Sequence, residues 1–306
     1  MYTVPKSVAV RAGQSGGIVM REDLGLQGYG EWEIRRLSAS LVQVRRGAYC
    51  LEPPTTPEAM HVLMARAALK SHCDSQFLSH ASAALAWGLP LFRVDLARVH
   101  LSRDRGQRAK TTPGIRYHNY PVIPEDQTHQ LPNVRVTAAT RTVIDCAVTL
   151  PTDSAVVIVD AALHRGMTSL SHLSERVSAM TRRKGLSAAR RVLALADIKA
   201  ESPGESRLRL LLGDLGIHVV SQAVINDGAR TLARADFRIR DSRVLIEFDG
   251  RAKYKDDPER YHWEEKQRHD LLVAAGYEVV RVVWAQLEDP QAVKRAIDQA
   301  LTRSRR

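Results

Sequence analysis

The chain has 306 residues, about twice the usual single-domain length, so two or three domains and a sizeable core are expected. It is 44% hydrophobic and 26% charged, ordinary values for a globular protein, but 45 Lys and Arg stand against 34 Asp and Glu, a net charge of +11. A surplus of that size favours phosphate polymers or anionic surfaces as partners, and 36 of the cations are Arg, the residue suited to bidentate phosphate contacts. No window of 18 uncharged apolar residues occurs and the first residues carry no apolar leader, so a cytoplasmic protein without a membrane partner is expected. Cys50, Cys73 and Cys146 have no CxxC spacing, which argues against a disulfide framework or a zinc finger and for free buried thiols.

Three regions differ in texture. Residues 1–54 end in a proline-rich boundary, 55–200 form a mixed α/β middle region, and 201–306 begin at a Pro-Gly helix-start signal. In the first, an apolar-periodic segment at 8–12 precedes a break at Gly16 and Gly17. A short helix at 20–24, a turn at 27–30 and a helix at 31–38 with Ile34 and Leu37 on one face follow. LVQVRRGAYCL then reads as a hairpin with Arg45, Arg46 and Gly47 at its tip. Helix, helix, turn, helix and basic hairpin is the winged-helix plan, in which the last helix enters the major groove and the wing rests on phosphates. Trp32, Arg35, Arg36 and Ser38 are the expected groove residues, Arg45 and Arg46 the wing cations. Three short helices and a hairpin also build protein-docking domains.

The middle region is expected to hold a helical stretch at 57–86, β-patterned sequence at 98–136, and helices at 140–147, 154–164 and 170–180. His80 and Ser82 lack the spacing of a catalytic pair with its orienting group, so they read as capping and packing residues. Arg103, Arg105, Arg108 and Lys110 form a cationic loop suited either to a nucleic-acid backbone or to solvent. Arg141 and Asp145, four apart on a helix, are expected to pair.

The last region carries the most specific pattern. A helix presents Glu205 in its first turn; a strand at 219–224 and a turn at 226–228 follow. ARADFRI forms a strand containing Asp236, and VLIEFDG another containing Glu247 and Asp249. Carboxylates within apolar strands are costly without a partner, and Glu247 and Asp249 share a strand face. Oxygen ligands without His or Cys point to Mg²⁺ or Mn²⁺, held by Asp236, Glu247 and Asp249, for phosphodiester hydrolysis. Lys253 is the favoured electrostatic stabiliser, with Lys266 as the other candidate. Residues 1–200 carry 26 cations against 16 acids and residues 201–306 carry 19 against 18, so the basic surplus lies outside the acid-bearing region.

Two resemblances add to this. GGIVMREDLGLQGYGEWEIRRLSASLVQVRRGAYCL resembles the N-terminal winged-helix domain of the AbiEi family of type IV antitoxins, and SHASAALAWGLPL and TAATRTVIDCA resemble the region that follows it. That likeness implies operator-DNA binding, autorepression and a cognate nucleotidyltransferase-like toxin as partner. The order helix, hairpin, D…ExD, helix, strand resembles the PD-(D/E)XK nuclease superfamily, more narrowly the very-short-patch-repair endonucleases. It implies Glu205 as the helix acid, Asp236 as the first strand acid and Glu247 as the second. The superfamily Lys falls where this chain has Asp249, a departure shared in kind by the very-short-patch enzymes, which have His there. The combined expectation is a multidomain α+β and α/β protein: a winged helix, a mixed middle domain and a restriction-endonuclease-like α/β domain. It acts as a metal-dependent DNA endonuclease or, alternatively, as a non-enzymatic antitoxin-like autorepressor with a decayed nuclease fold.

Overall fold

The computed structural model describes residues 4–71, 76–103, 112–131, 134–228, 230–250 and 267–305, with the backbone alone for 128–131. The chain divides into two compact units, Met1–Ile158 with Met167–Leu193, and Val159–Gly166 with Ala194–Arg306. The boundary expected at residue 54 falls within the first unit, and the one expected at 200 lies near the main break at Ala194. Helices and three sheets share the chain, a mixed α and β class as the sequence implies.

The first unit opens with α1 (Lys6–Gln14), β1 (Val19–Met20), α2 (Arg21–Leu26), α3 (Glu31–Ser40), β2 (Val42–Arg45) and β3 (Ala48–Cys50). The strands form an antiparallel sheet in the order β1-β3-β2. Apolar residues three or four apart give each helix one inward stripe, and Val8, Ala12, Val19, Leu24, Ile34, Leu37 and Leu41 meet in one core. The Glu33 carboxylate accepts the Gly30 N–H at 2.8 Å and fixes the start of α3. Gly47 takes φ +76° at the hairpin tip, a conformation that glycine adopts without a Cβ penalty. The helix expected at 20–24 starts one residue later, because Met20 pairs with Ala48 in a two-residue strand.

Next come α4 (Pro57–Lys70), β4 (Gln76–Leu78), α5 (His80–Ala86), β5 (Val99–Arg103), β6 (Ile115–His118), β7 (Gln127–Leu131), β8 (Val134–Thr137), α6 (Ala139–Thr149), α7 (Thr152–His164), α8 (Leu170–Ala179) and α9 (Leu186–Ala194). The five strands lie in the order β6-β5-β4-β8-β7, with β5–β6 and β4–β8 parallel. Thr56 caps α4 by accepting the Ala59 N–H at 3.1 Å, with Pro57 at the first helical position. The helical stretch expected at 57–86 is corrected: α4 ends at Lys70, and β4 separates it from α5. All three β4 residues are buried, and a short, wholly buried strand has no alternation to distinguish it from a helix. α9 lies beyond the helices expected from the sequence pattern.

The second unit contains α10 (Pro203–Asp214), β9 (Val219–Asp227), β10 (Arg230–Ile239), β11 (Val244–Asp249), α11 (267–274), β12 (Glu278–Val283) and α12 (Pro290–Arg303). The sheet order is β12-β11-β10-β9; β9 to β11 form an antiparallel meander and β12 runs parallel to β11. A parallel neighbour demands a crossover, and α11 lies within it. Leu208 and Leu212 of α10 and Val293, Ile297 and Ala300 of α12 pack with Phe237, Val244 and Ile246 of the sheet. Leu272 of α11 joins Leu245 in a second cluster. Asp160, in the part of α7 that belongs to this unit, accepts from Ser206 Oγ and Arg209 Nη2, each at 2.8 Å, and so anchors α10. Among the described residues no helix is long and apolar enough to cross a membrane.

Candidate functional site

Two surfaces hold the residues singled out by the sequence. On α3, Ile34 and Leu37 turn inward, which leaves Trp32, Arg35 and Arg36 outward. Trp32 is 67% exposed, and the Arg36 guanidinium lies 5.1 Å from its ring centroid, a cation–π contact that holds both side chains together. Ser38 differs from its assigned role: it lies four residues after Ile34, on the apolar stripe, and its hydroxyl is shielded from solvent. Arg45 is half-buried with Nη1 shielded, and burial draws its pKa down, with Tyr117 nearby opposing the shift. Arg46 at the hairpin turn is exposed. The outward set is therefore Trp32, Arg35, Arg36 and Arg46.

The acids gather in the second unit. Pairing of Phe237 with Ile246 and of Arg238 with Leu245 carries Asp236 beside Glu247 on adjoining strands. Asp236 Oδ2 accepts the Phe248 N–H at 2.7 Å. Glu247, 8% exposed, meets Arg268 of α11 at 2.6 Å, and Asp249 is half-buried at the end of β11. Glu205 sits in the first turn of α10 behind its cap, Ser202. Its carboxylate accepts from Ser202 Oγ at 2.7 Å, the Glu201 N–H at 3.1 Å and Gln222 Nε2 at 2.9 Å. Gln222 has φ +50°, a break in the β9 ladder that accompanies its contact with the helix. Burial first, and then the charge of Asp236, push the Glu205 pKa up. A Cβ on Gly204 would lie 1.9 Å from the Phe248 ring, so only glycine lets α10 approach β11 this closely.

The oxygen donors of Asp236, Glu247, Asp249 and Glu205 have the chemistry for Mg²⁺ or Mn²⁺. Among the described residues, the group of three whose ligand atoms lie within 4.8 Å of one another is His80, His100 and His118, not a set of carboxylates. Arg268 Nη2 stands 2.6 Å from Glu247 Oε1. Lys253 and Lys266 lie outside the described residues, as do Arg105, Arg108 and Lys110 of the cationic loop and Cys73; Cys50 and Cys146 are buried free thiols.

The expected pair of Arg141 and Asp145 is present at 2.8 Å and belongs to a larger buried network. Arg141 also reaches Asp126 and the Pro121 carbonyl, each at 2.7 Å; Arg176 pairs with Asp126, and Arg183 with Asp145. Ser82 serves packing, accepting the His100 N–H at 2.8 Å and contacting His61 Nε2 at 2.8 Å. His80 does more than pack: it joins His100 and His118 in a cluster that the sequence, with the three on separate elements and no spacing motif, did not disclose.

No model of a known protein family matches the chain. Over 255 residues it is 26% identical to two Mycobacterium tuberculosis sequences, uncharacterized protein Rv2248 of strain H37Rv and uncharacterized protein MT2308 of strain CDC 1551; each match spans 82% of this chain and 88% of the relative. Among solved structures the chain is similar to the RV2827C protein from Mycobacterium tuberculosis, with a TM-score of 0.42 and 17% identity over 69% of this chain and 82% of that one.

Proposed function

We propose that this protein binds duplex DNA through its N-terminal winged helix, in the cytoplasm, where Cys50 and Cys146 stay reduced. The observation that carries this reading is the outward face of α3, where Trp32, Arg35 and Arg36 stand clear of the core in a three-helix, three-strand arrangement. Arg35 and Arg36 read base edges or phosphates in the groove, and Arg46 meets the backbone. Fluorescence anisotropy with duplex libraries tests it. Replacing Arg35 and Arg36 by Ala should relax sequence preference, whereas Arg46→Ala should weaken all duplexes alike and lower the salt slope by about one unit. Arg45→Ala should leave that slope unchanged. Binding that survives all of these changes intact would sink the assignment.

A second reading, metal-dependent phosphodiester hydrolysis, is favoured by Asp236 and Glu247 meeting on adjoining strands beside the Glu205-bearing helix. It requires an ion to displace Arg268 from Glu247. Plasmid, mismatched and single-stranded DNA incubated with Mg²⁺ or Mn²⁺ and with wild type, Asp236→Ala or Glu247→Ala decides it. Cleavage by wild type alone supports a nuclease of the PD-(D/E)XK kind. Intact DNA throughout, with binding retained, leaves the non-enzymatic autorepressor, for which a nucleotidyltransferase-like toxin is the partner to seek.

A further inference from the structure

β5 and β6 run parallel, with His100 opposite Arg116 and Ser102 opposite His118. Alternation along each strand puts His100 and His118 on one face of the sheet. His80, the first residue of α5, joins them, and one ligand nitrogen from each lies within 4.8 Å of the other two. Nε2 of His118 stands 3.2 Å from Nδ1 of His100. Two nitrogens bound to one zinc ion at the usual bond length stand about 3.3 Å apart.

Three further features distinguish this cluster from ordinary buried histidines. His80 is 2% exposed and holds φ +52°, a left-handed conformation uncommon for a non-glycine residue and concentrated at functional sites. The Asp145 carboxylate lies behind it. Its Oδ1 takes Arg141 and Arg183, while its buried Oδ2 accepts no hydrogen bond among the described residues and stands 3.7 Å from His80 Nδ1. The three imidazoles also lie against one another, with ring centroids 3.5 Å apart for His80 and His118, 5.1 Å for His100 and His118 and 5.7 Å for His80 and His100.

We propose that His80, His100 and His118 hold a first-row divalent transition ion of the zinc class, with Asp145 as the positioning residue for His80. Imidazole nitrogen suits such ions rather than Mg²⁺, and a carboxylate behind a ligating histidine fixes its tautomer and orientation. A proton on His80 Nδ1, between Ser79 Oγ at 2.9 Å and Asp145, leaves Nε2 as the nitrogen with the lone pair. Three protein ligands leave one position to water. His118 stacks on His80 with centroids 3.5 Å apart at 17°. Lone pairs lie in the ring planes, so parallel rings do not aim at one point, and loading must tilt a ring. His118 ends an edge strand of the sheet, where a tilt disturbs least.

The test uses the full chain, stripped with chelator and titrated with Co²⁺. Wild type should bind one equivalent with intense visible absorption, released by one equivalent of Zn²⁺. Glutamine at both His100 and His118 should abolish the absorption, while glutamine at His172, exposed on α8 and outside the cluster, should leave it unchanged. A His118→Cys variant should keep stoichiometric binding and gain a sulfur-to-cobalt band in the near ultraviolet, a signature that a packing role for His118 would not produce. Circular dichroism monitors folding. Failure of folded wild type to bind one equivalent overturns the proposal whatever the variants do, as does unchanged absorption in the folded double-glutamine variant.

Discussion

In the first unit Arg141, 1% exposed, lies between Asp126 and Asp145 and is capped by the carbonyls of Pro121 and Tyr120. In the second unit Glu247, 8% exposed, meets Arg268, whose side chain is 39% exposed. Both are buried charges, but the first is enclosed by partners on several elements and the second is met by a group that solvent reaches. Dissolving the Arg141 network would leave charges stranded in the core. Releasing Arg268 returns to water a guanidinium that solvent already reaches. A charge enclosed on several elements holds the fold together, whereas a pair that solvent reaches on one side contributes less to stability.

The largest expected effect follows from that difference. Asp145→Ala should destabilise the protein by about 3–5 kcal/mol, because it strands Arg141 and Arg183 inside the unit. Arg268→Ala should cost about 1 kcal/mol or less, since the pair it breaks is partly exposed. Urea unfolding followed by circular dichroism measures both. Equal losses would dissolve the distinction between the two regions.

A smaller effect probes how α10 is seated. Gly204→Ala drives a Cβ into the Phe248 ring and should cost about 1–3 kcal/mol as the helix start is pushed from β11. Gly213→Ala, on the same helix with no atom within 4 Å of the added carbon, should instead stabilise by up to about 1 kcal/mol through helix propensity. Thermal melts that shift alike for the two would show that close approach at Gly204 is not what sets the helix against the sheet.

Legibility in the sequence divides along the same line. Much of the second unit is legible because Pro203, Gly216, the Asn226-Asp227-Gly228 turn and Asp241-Ser242 punctuate its first four elements, and the hairpin at Asp241-Ser242 puts the strands bearing Asp236 and Glu247 side by side. Arg268 as the partner of Glu247 was not readable, because 21 residues separate them and the pairing depends on how α11 crosses the sheet. In the first unit, inward and outward faces of α3 follow from Ile34 and Leu37, and the same spacing applied one step further places Ser38 inside. Arg45 turns inward through a strand register that shifts between Gln43 and Arg45, which hairpin patterning does not reveal. β4 is not legible in the sequence, because burial of every residue erases its period. The histidine cluster was invisible because its members come from a helix start and two strands joined by no motif.

The effect that contrasts the units in sign is the dependence of stability on pH in chelator-treated protein. His80, held at about pKa 3 by burial, is well below its ordinary value of 6.5. Between those values the unfolded chain takes up a proton that the folded chain does not, so stability falls as pH drops below about 6.5, by about 1 kcal/mol per pH unit for such a histidine. Glu205 moves the other way. Its pKa is raised from 4.5, so just above that value the unfolded chain has released a proton that the folded chain still binds, and stability falls as pH rises. Calorimetry from about pH 4.5 to 7 should therefore show a positive slope that His80→Asn flattens and Glu205→Gln steepens. The same slope in both variants would mean that neither group is titrating against the environment that encloses it, and the contrast between neutralised bases in one unit and a retained proton in the other would fail.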